Sequence, residues 1–132
     1  MALSIEQALY RELVATAWVV ALVGTRVYPV QAPQQAVAPY VVYELAAGNP
    51  HQGLDGSTGL AWARIDYGCY AATYAAAREV AAAVMAAINH RRGVIQGVSV
   101  GSVLSQEAFD AGFDEVTQTY LHVVSFRVQY AE

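Results

Sequence analysis

The run Ala61-Trp-Ala-Arg-Ile-Asp-Tyr-Gly-Cys-Tyr-Ala71 alternates without a fault, and this restricts the chain to folds built on a sheet with two unlike faces. Successive strand side chains point to opposite sides. Ala61, Ala63, Ile65, Tyr67, Cys69 and Ala71 therefore form one apolar face, and Trp62, Arg64, Asp66, Gly68 and Tyr70 form a mixed one. The period then switches to that of a helix. Thr73 is placed to cap it, and Tyr74, Ala77, Ala81, Val84, Met85 and Ile88 recur along one side. Arg91 and Arg92 suit the negative end of a helix and Gly93 supplies a stop, so the helix is expected over 73–92. A half-buried strand followed by an amphipathic helix requires the two to pack, which is an α+β arrangement.

The flanking segments extend this scheme. Ser4 with Gln7 three residues on makes a capping box, and Ile5, Leu9, Leu13, Thr16 and Val20 share a face, giving a first helix over 4–22 with Gly24 after it. Trp18 lies opposite that stripe, near Val14 and Leu22. Either the helix breaks near Thr16 and restarts, or its back face meets something else. Val27 to Val30 reads as a short strand, 31–39 as an irregular connection, and Tyr40 to Ala46 as a β-run. Gly48 to Gly59 is too long for a tight turn and is expected to project as a loop. Val94 to Leu104 reads as a glycine-interrupted strand. The segment 105–118, which holds Glu107, Asp110, Asp114 and Glu115 and no basic residue, is read as an acidic loop. Thr119 to Tyr130 closes the chain as a long strand, with Tyr120, Val124, Phe126, Val128 and Tyr130 on one face. Strands joined by loops imply a mixed, mainly antiparallel sheet with two amphipathic helices on one face. With 132 residues and no linker, 1–132 is expected to be one domain.

Catalysis needs convergent polar groups, and the sequence offers few. His51 stands four residues before Asp55, but a loop of glycine, asparagine and proline fixes no geometry between them. His122 lies on the apolar face of the last strand and reads as a satisfied core or interface histidine; His90 sits at a helix end. No Cys/His spacing suits zinc, and Asp110, Asp114 and Glu115 lack the calcium-loop pattern. Cys69 is the lone cysteine, so no internal disulfide forms, and its place on the inward face makes it an inert thiol. No catalytic residue, metal ligand or cofactor is expected.

Composition points to association. Hydrophobic residues make up 56% and charged residues 14%, which leaves few groups to keep a free surface wet. A partner subunit is the expected cover. The net charge is −4 and the seven basic residues are all arginines, scattered apart from Arg91–Arg92. That distribution argues against direct nucleic-acid binding. The N-terminus lacks a signal-peptide pattern and the longest apolar stretch, Leu13 to Val23, is too short for a bilayer, so no membrane partner is expected.

Three separated segments carry a resemblance. Leu22-Val-Gly-Thr-Arg-Val-Tyr-Pro-Val, with Ala32-Pro-Gln and Pro39-Tyr-Val-Val-Tyr, resembles the opening of the tail-completion proteins of long-tailed bacteriophages, the tail-terminator or head–tail joining family. Cys69-Tyr-Ala-Ala-Thr-Tyr-Ala-Ala-Ala-Arg is similar to the family's strand-into-helix junction, and Phe126-Arg-Val-Gln-Tyr to its closing strand. The resemblance implies a virion protein, made in the bacterial host cytoplasm, that forms a hexameric ring at the head-proximal end of the tail tube. Such a ring stops tube polymerisation and joins tail to head. Its partners would be its own copies, the tail tube protein and a head connector or stopper protein, with DNA passing through without specific binding. On that reading Asn49, His51, Gln52, Leu54 and Asp55 form a candidate partner-contact loop, and Trp18, Val14 and Leu22 a candidate subunit interface. A stopper, another head–tail connector component, is the nearest alternative. A small ligand-binding or enzymatic α+β domain would need a pocket with His51, Asp55 or His122 near it.

Overall fold

Why the first helix stops where it does is visible in one side chain. The computed structural model describes residues 3–53 and 56–131, and the side chains of all of these except 49–53 and 56–58. Helix α1 spans Ile5–Val14, opened by the capping box: the Gln7 amide donates to Ser4 Oγ, and the Ser4 amide donates to Gln7 Oε1. Thr16 then turns its hydroxyl back to the Glu12 carbonyl at 2.7 Å and adopts an extended backbone. Helix α2, Ala17–Val23, starts from there. Of the two readings of the segment 4–22, the break near Thr16 with a restart is the one found, and the apolar stripe is reset there. Ile5, Ala8, Leu9 and Leu13 are buried in α1, and Val19 and Val23 in α2; Val20, expected inside, is exposed. Gly24 ends α2 with φ +61, a conformation glycine adopts without Cβ strain.

Six strands follow, interrupted by helix α3 over Tyr74–Ile88: β1 Val27–Pro29, β2 Tyr40–Gly53, β3 Gly56–Ala71, β4 Gly93–Ile95, β5 Val98–Asp114 and β6 Thr119–Ala131. They form one sheet in the order β1-β2-β3-β6-β5-β4. Only β1–β2 is parallel; the other neighbours are antiparallel. The Thr73 hydroxyl accepts from the Ala76 amide to cap α3. That helix ends at Ile88 rather than near Arg92, because Asn89 is extended and His90 is left-handed with φ 65. The His90 amide donates to the Val103 carbonyl and Asn89 Oδ1 accepts from the Ser105 amide, so the chain leaves the helix onto the flank of β5. The single strand expected over 94–104 is a hairpin instead. Gln96 (φ 49) and Gly97 (φ 87) make a two-residue turn between β4 and β5, with both central residues at the positive φ that such turns need.

The apolar face of β3 is fully inside, as its alternation requires. It packs with Val124, Phe126 and Val128 of β6 and with Val80, Ala81, Val84, Ala87 and Ile88 of α3, while α1 and α2 complete the helical layer. Tyr74 and Met85, read as part of the α3 stripe, are exposed and half-buried. Val80 and Ala87 take the core positions. No helix among the described residues covers the opposite sheet face, where Tyr40 stacks on Tyr70 at 4.8 Å and Arg127 lies over Trp62. No described helix is long and apolar enough to cross a membrane.

The two segments read as loops are largely strand. Backbone pairing continues from Gly48↔Ala63 to Gly53↔Gly56, and from Glu107↔Ser125 to Asp114↔Thr119, with a β-bulge at intervals in each ladder. The result is two hairpin arms. Since β2 and β5 run in opposite directions, the arms leave opposite ends of the sheet.

Candidate functional site

The β5–β6 arm is fixed to the helical layer by a polar cluster that begins at His122. That side chain is only 8% exposed, and its Nδ1 lies 2.7 Å from Asp110 Oδ1 across the arm. An ionised carboxylate only accepts, so Nδ1 carries the proton. The Tyr74 hydroxyl, at the start of α3, donates to Asp110 Oδ2 at 3.0 Å, and Arg78 one turn later donates to the Tyr74 hydroxyl. Around these bonds Tyr120 meets Tyr74 edge-on and Phe113 at 4.8 Å. At the tip, Asp114 Oδ1 accepts from the Val116 and Thr117 amides and closes the turn. A histidine and an aspartate in contact could serve as a base and its orienter, but their hydroxyl neighbour is a donor to the aspartate. The Cys69 thiol, on the strand opposite His122, is wholly buried, and that burial pushes its pKa up to about 12. The cluster is a fastening. His122 is the satisfied histidine that its apolar neighbourhood suggests. Its partner was not readable by spacing along the chain, although 110 and 122 lie symmetrically about the tip.

The fastening sets a pH dependence. The hydrogen bond from His122, helped by that from Tyr74, holds the Asp110 carboxyl below its ordinary 3.8. A depressed folded pKa gives stability that is present above the unfolded value and lost as pH falls through the folded one. Acidification below about pH 4 is therefore expected to loosen the arm. Hydrogen exchange of residues 107–122 should accelerate there ahead of the sheet centre, and Asp110→Ala should show the same local acceleration at neutral pH. Unchanged protection in that variant would exclude the fastening role.

The other proposed sites fall in different places. Leu54 and Asp55 lie outside the described residues, as do the side chains of Asn49, His51 and Gln52, whose backbones belong to β2. By backbone register His51 follows Pro50, which pairs with Ala61, whereas His122 pairs with Cys69. Eight strand steps, roughly 26 Å, separate them. Trp18 is 53% exposed. Its indole N–H donates to the Ala83 carbonyl on α3, which spends the polar end inward and leaves the ring outside. Val14 and Leu22 pack against the core beneath it. No group of three metal-ligating side chains exists among the described residues.

A chain from the virion of a native gene transfer agent particle has a similar fold, with TM-score 0.76 and 24% identity over 98% of this chain and 96% of that one. No curated protein sequence matches. The family described as Tail completion protein gp17 matches residues 7–131, from the first helix to the closing strand. With nearly its whole length matched, the chain belongs to the tail completion protein gp17 family.

Proposed function

We propose that the protein closes the head-proximal end of the tail tube as a homo-oligomeric ring, a hexamer, which ends tube polymerisation and presents the surface on which the head docks. The observation that carries this is the family match over residues 7–131. A tail-completion protein is a structural part of a bacteriophage tail and not an enzyme. The likeness of fold to a virion component supports a place in the assembled particle. The architecture suits the role, because a joining piece must hold something at each end and the two arms leave the sheet in opposite directions. The segment that holds Asn49, His51, Gln52, Leu54 and Asp55 is the contact to the tube or the head. The exposed ring of Trp18 is a lateral contact between subunits, with Val14 and Leu22 supporting it. DNA passes through the ring without being gripped, consistent with a net charge of −4.

The direct test adds the purified protein to tail tubes assembled from the phage's own tube protein. Electron microscopy should show a ring on one end of each tube and no further growth there. Binding along the tube wall, or continued growth from both ends, would exclude the reading.

A further inference from the structure

Two surfaces on this chain are complementary yet cannot meet within it. The first is the tip of the β5–β6 arm, where Val116 is 93% exposed and Asp114 and Glu115 precede it. The second is the corner formed by the end of α1 and the turn from α3 into β4. There Val94 is 74% exposed, and Arg11 and Arg92 stand on either side of the Glu12–Arg91 pair in sequence. Val116 and Val94 are the two most exposed large apolar residues described.

The charges are just as telling. Five of the seven arginines are engaged: Arg26 with the Pro39 carbonyl, Arg64 with Asp66, Arg78 with Tyr74, Arg91 with Glu12, and Arg127 over Trp62. Among the described residues Arg11 and Arg92 have no such partner, and both belong to this corner. Residues 105–118 of the arm hold acids and no basic residue.

We propose that the arm tip of one subunit docks on this corner of the next copy of the chain, Val116 against Val94 with Glu115 facing Arg92. The corner adjoins the start of β5, where β4 pairs with Val98 to Val100, and the tip lies beyond its end at Asp114. Sixteen strand steps, roughly 50 Å, separate the two. Only a second copy brings them together. Two different patches meeting head to tail make a heterologous contact, the kind that closes into a ring. The tip is also already ordered, by Asp114 in its turn and by the Asp110 fastening behind it, so docking has little loop entropy to overcome. This rests on the ring reading above and names one of the joints that hold it.

Charge exchange tests it in the phage that carries the gene. Glu115→Arg and Arg92→Glu, each alone, should lower the titre of infectious particles about tenfold or more, because a modest reversal recurs at every joint of the ring. Combined, they should restore it to within a few-fold of the parent. Both residues are exposed, so thermal midpoints of the purified variants should match the parent's. A combined variant no better than the worse single one, or single variants without effect, would overturn the joint.

A second measurement uses assembled tails carrying Val94→Cys with Val116→Cys and a short bis-maleimide, the buried Cys69 being out of reach. A ladder of linked subunits is expected, with none from either cysteine alone. Its absence would also overturn the joint. If these tests fail while loss of the gene still disrupts tail ends, the ring stands and this joint falls.

Discussion

Truncating Phe126 to alanine is expected to cost about 3–5 kcal/mol, enough to bring a domain of this size near its unfolding threshold. Phe126 sits on β6 at the centre of the sheet, with no exposed surface, and meets the Tyr67 ring edge-on at 5.7 Å. It stands opposite Ile65 in the ladder, between the sheet and the helical layer. Fixed backbone on both sides leaves the site little freedom to collapse, so the penalty should lie high in that range. The thermal midpoint should drop by roughly 10–20 °C, and a fall of only a few degrees would mean that the core is looser than the structure shows.

Tyr67 leads to the opposite expectation. Its ring is wholly buried against Phe126 and near Tyr43, and its hydroxyl has no hydrogen-bond partner among the described residues. Burial pushes the phenol pKa far above its ordinary value. A buried polar group left unpaired costs about 1–3 kcal/mol, and Tyr67→Phe removes the group while keeping the ring. The variant is expected to be more stable by about 1–2 kcal/mol, raising the thermal midpoint by about 3–8 °C. Destabilisation on calorimetry would show that the hydroxyl is satisfied.

These two residues also show what the sequence made legible. The period-two run over 61–71 places Tyr67 inward, and the same alternation places Phe126, because each strand there has one wet face and one dry one. The first helix was harder. Its stripe reads continuously through Thr16, and the break comes from one hydroxyl bonding back to Glu12, a choice that periodicity does not record. The arms differ from the expected loops for a physical reason. Residues 105–114 are exposed on both sides of the hairpin, so no face is dry and no alternation is written into them. Their strand character comes from backbone pairing with β6, a partner that starts beyond the tip. The candidate site shares that origin. Asp110 meets His122 only because the hairpin folds symmetrically about residue 116, so neither residue signals the other along the chain. Family membership was readable from the segments at 22–43, 69–78 and 126–130, which form the junctions and the closing strand of the fold. Trp18 stands out in the sequence by its place opposite the helical stripe, whereas the proposed pairing of Val94 with Val116 rests on exposure that neither segment records.

Deleting its gene from the phage tests most directly whether this protein completes the tail. Electron micrographs of the resulting particles should show tails of excessive and variable length, with filled heads standing unattached beside them. Tails of normal length already joined to heads, in infectious particles, would contradict the account.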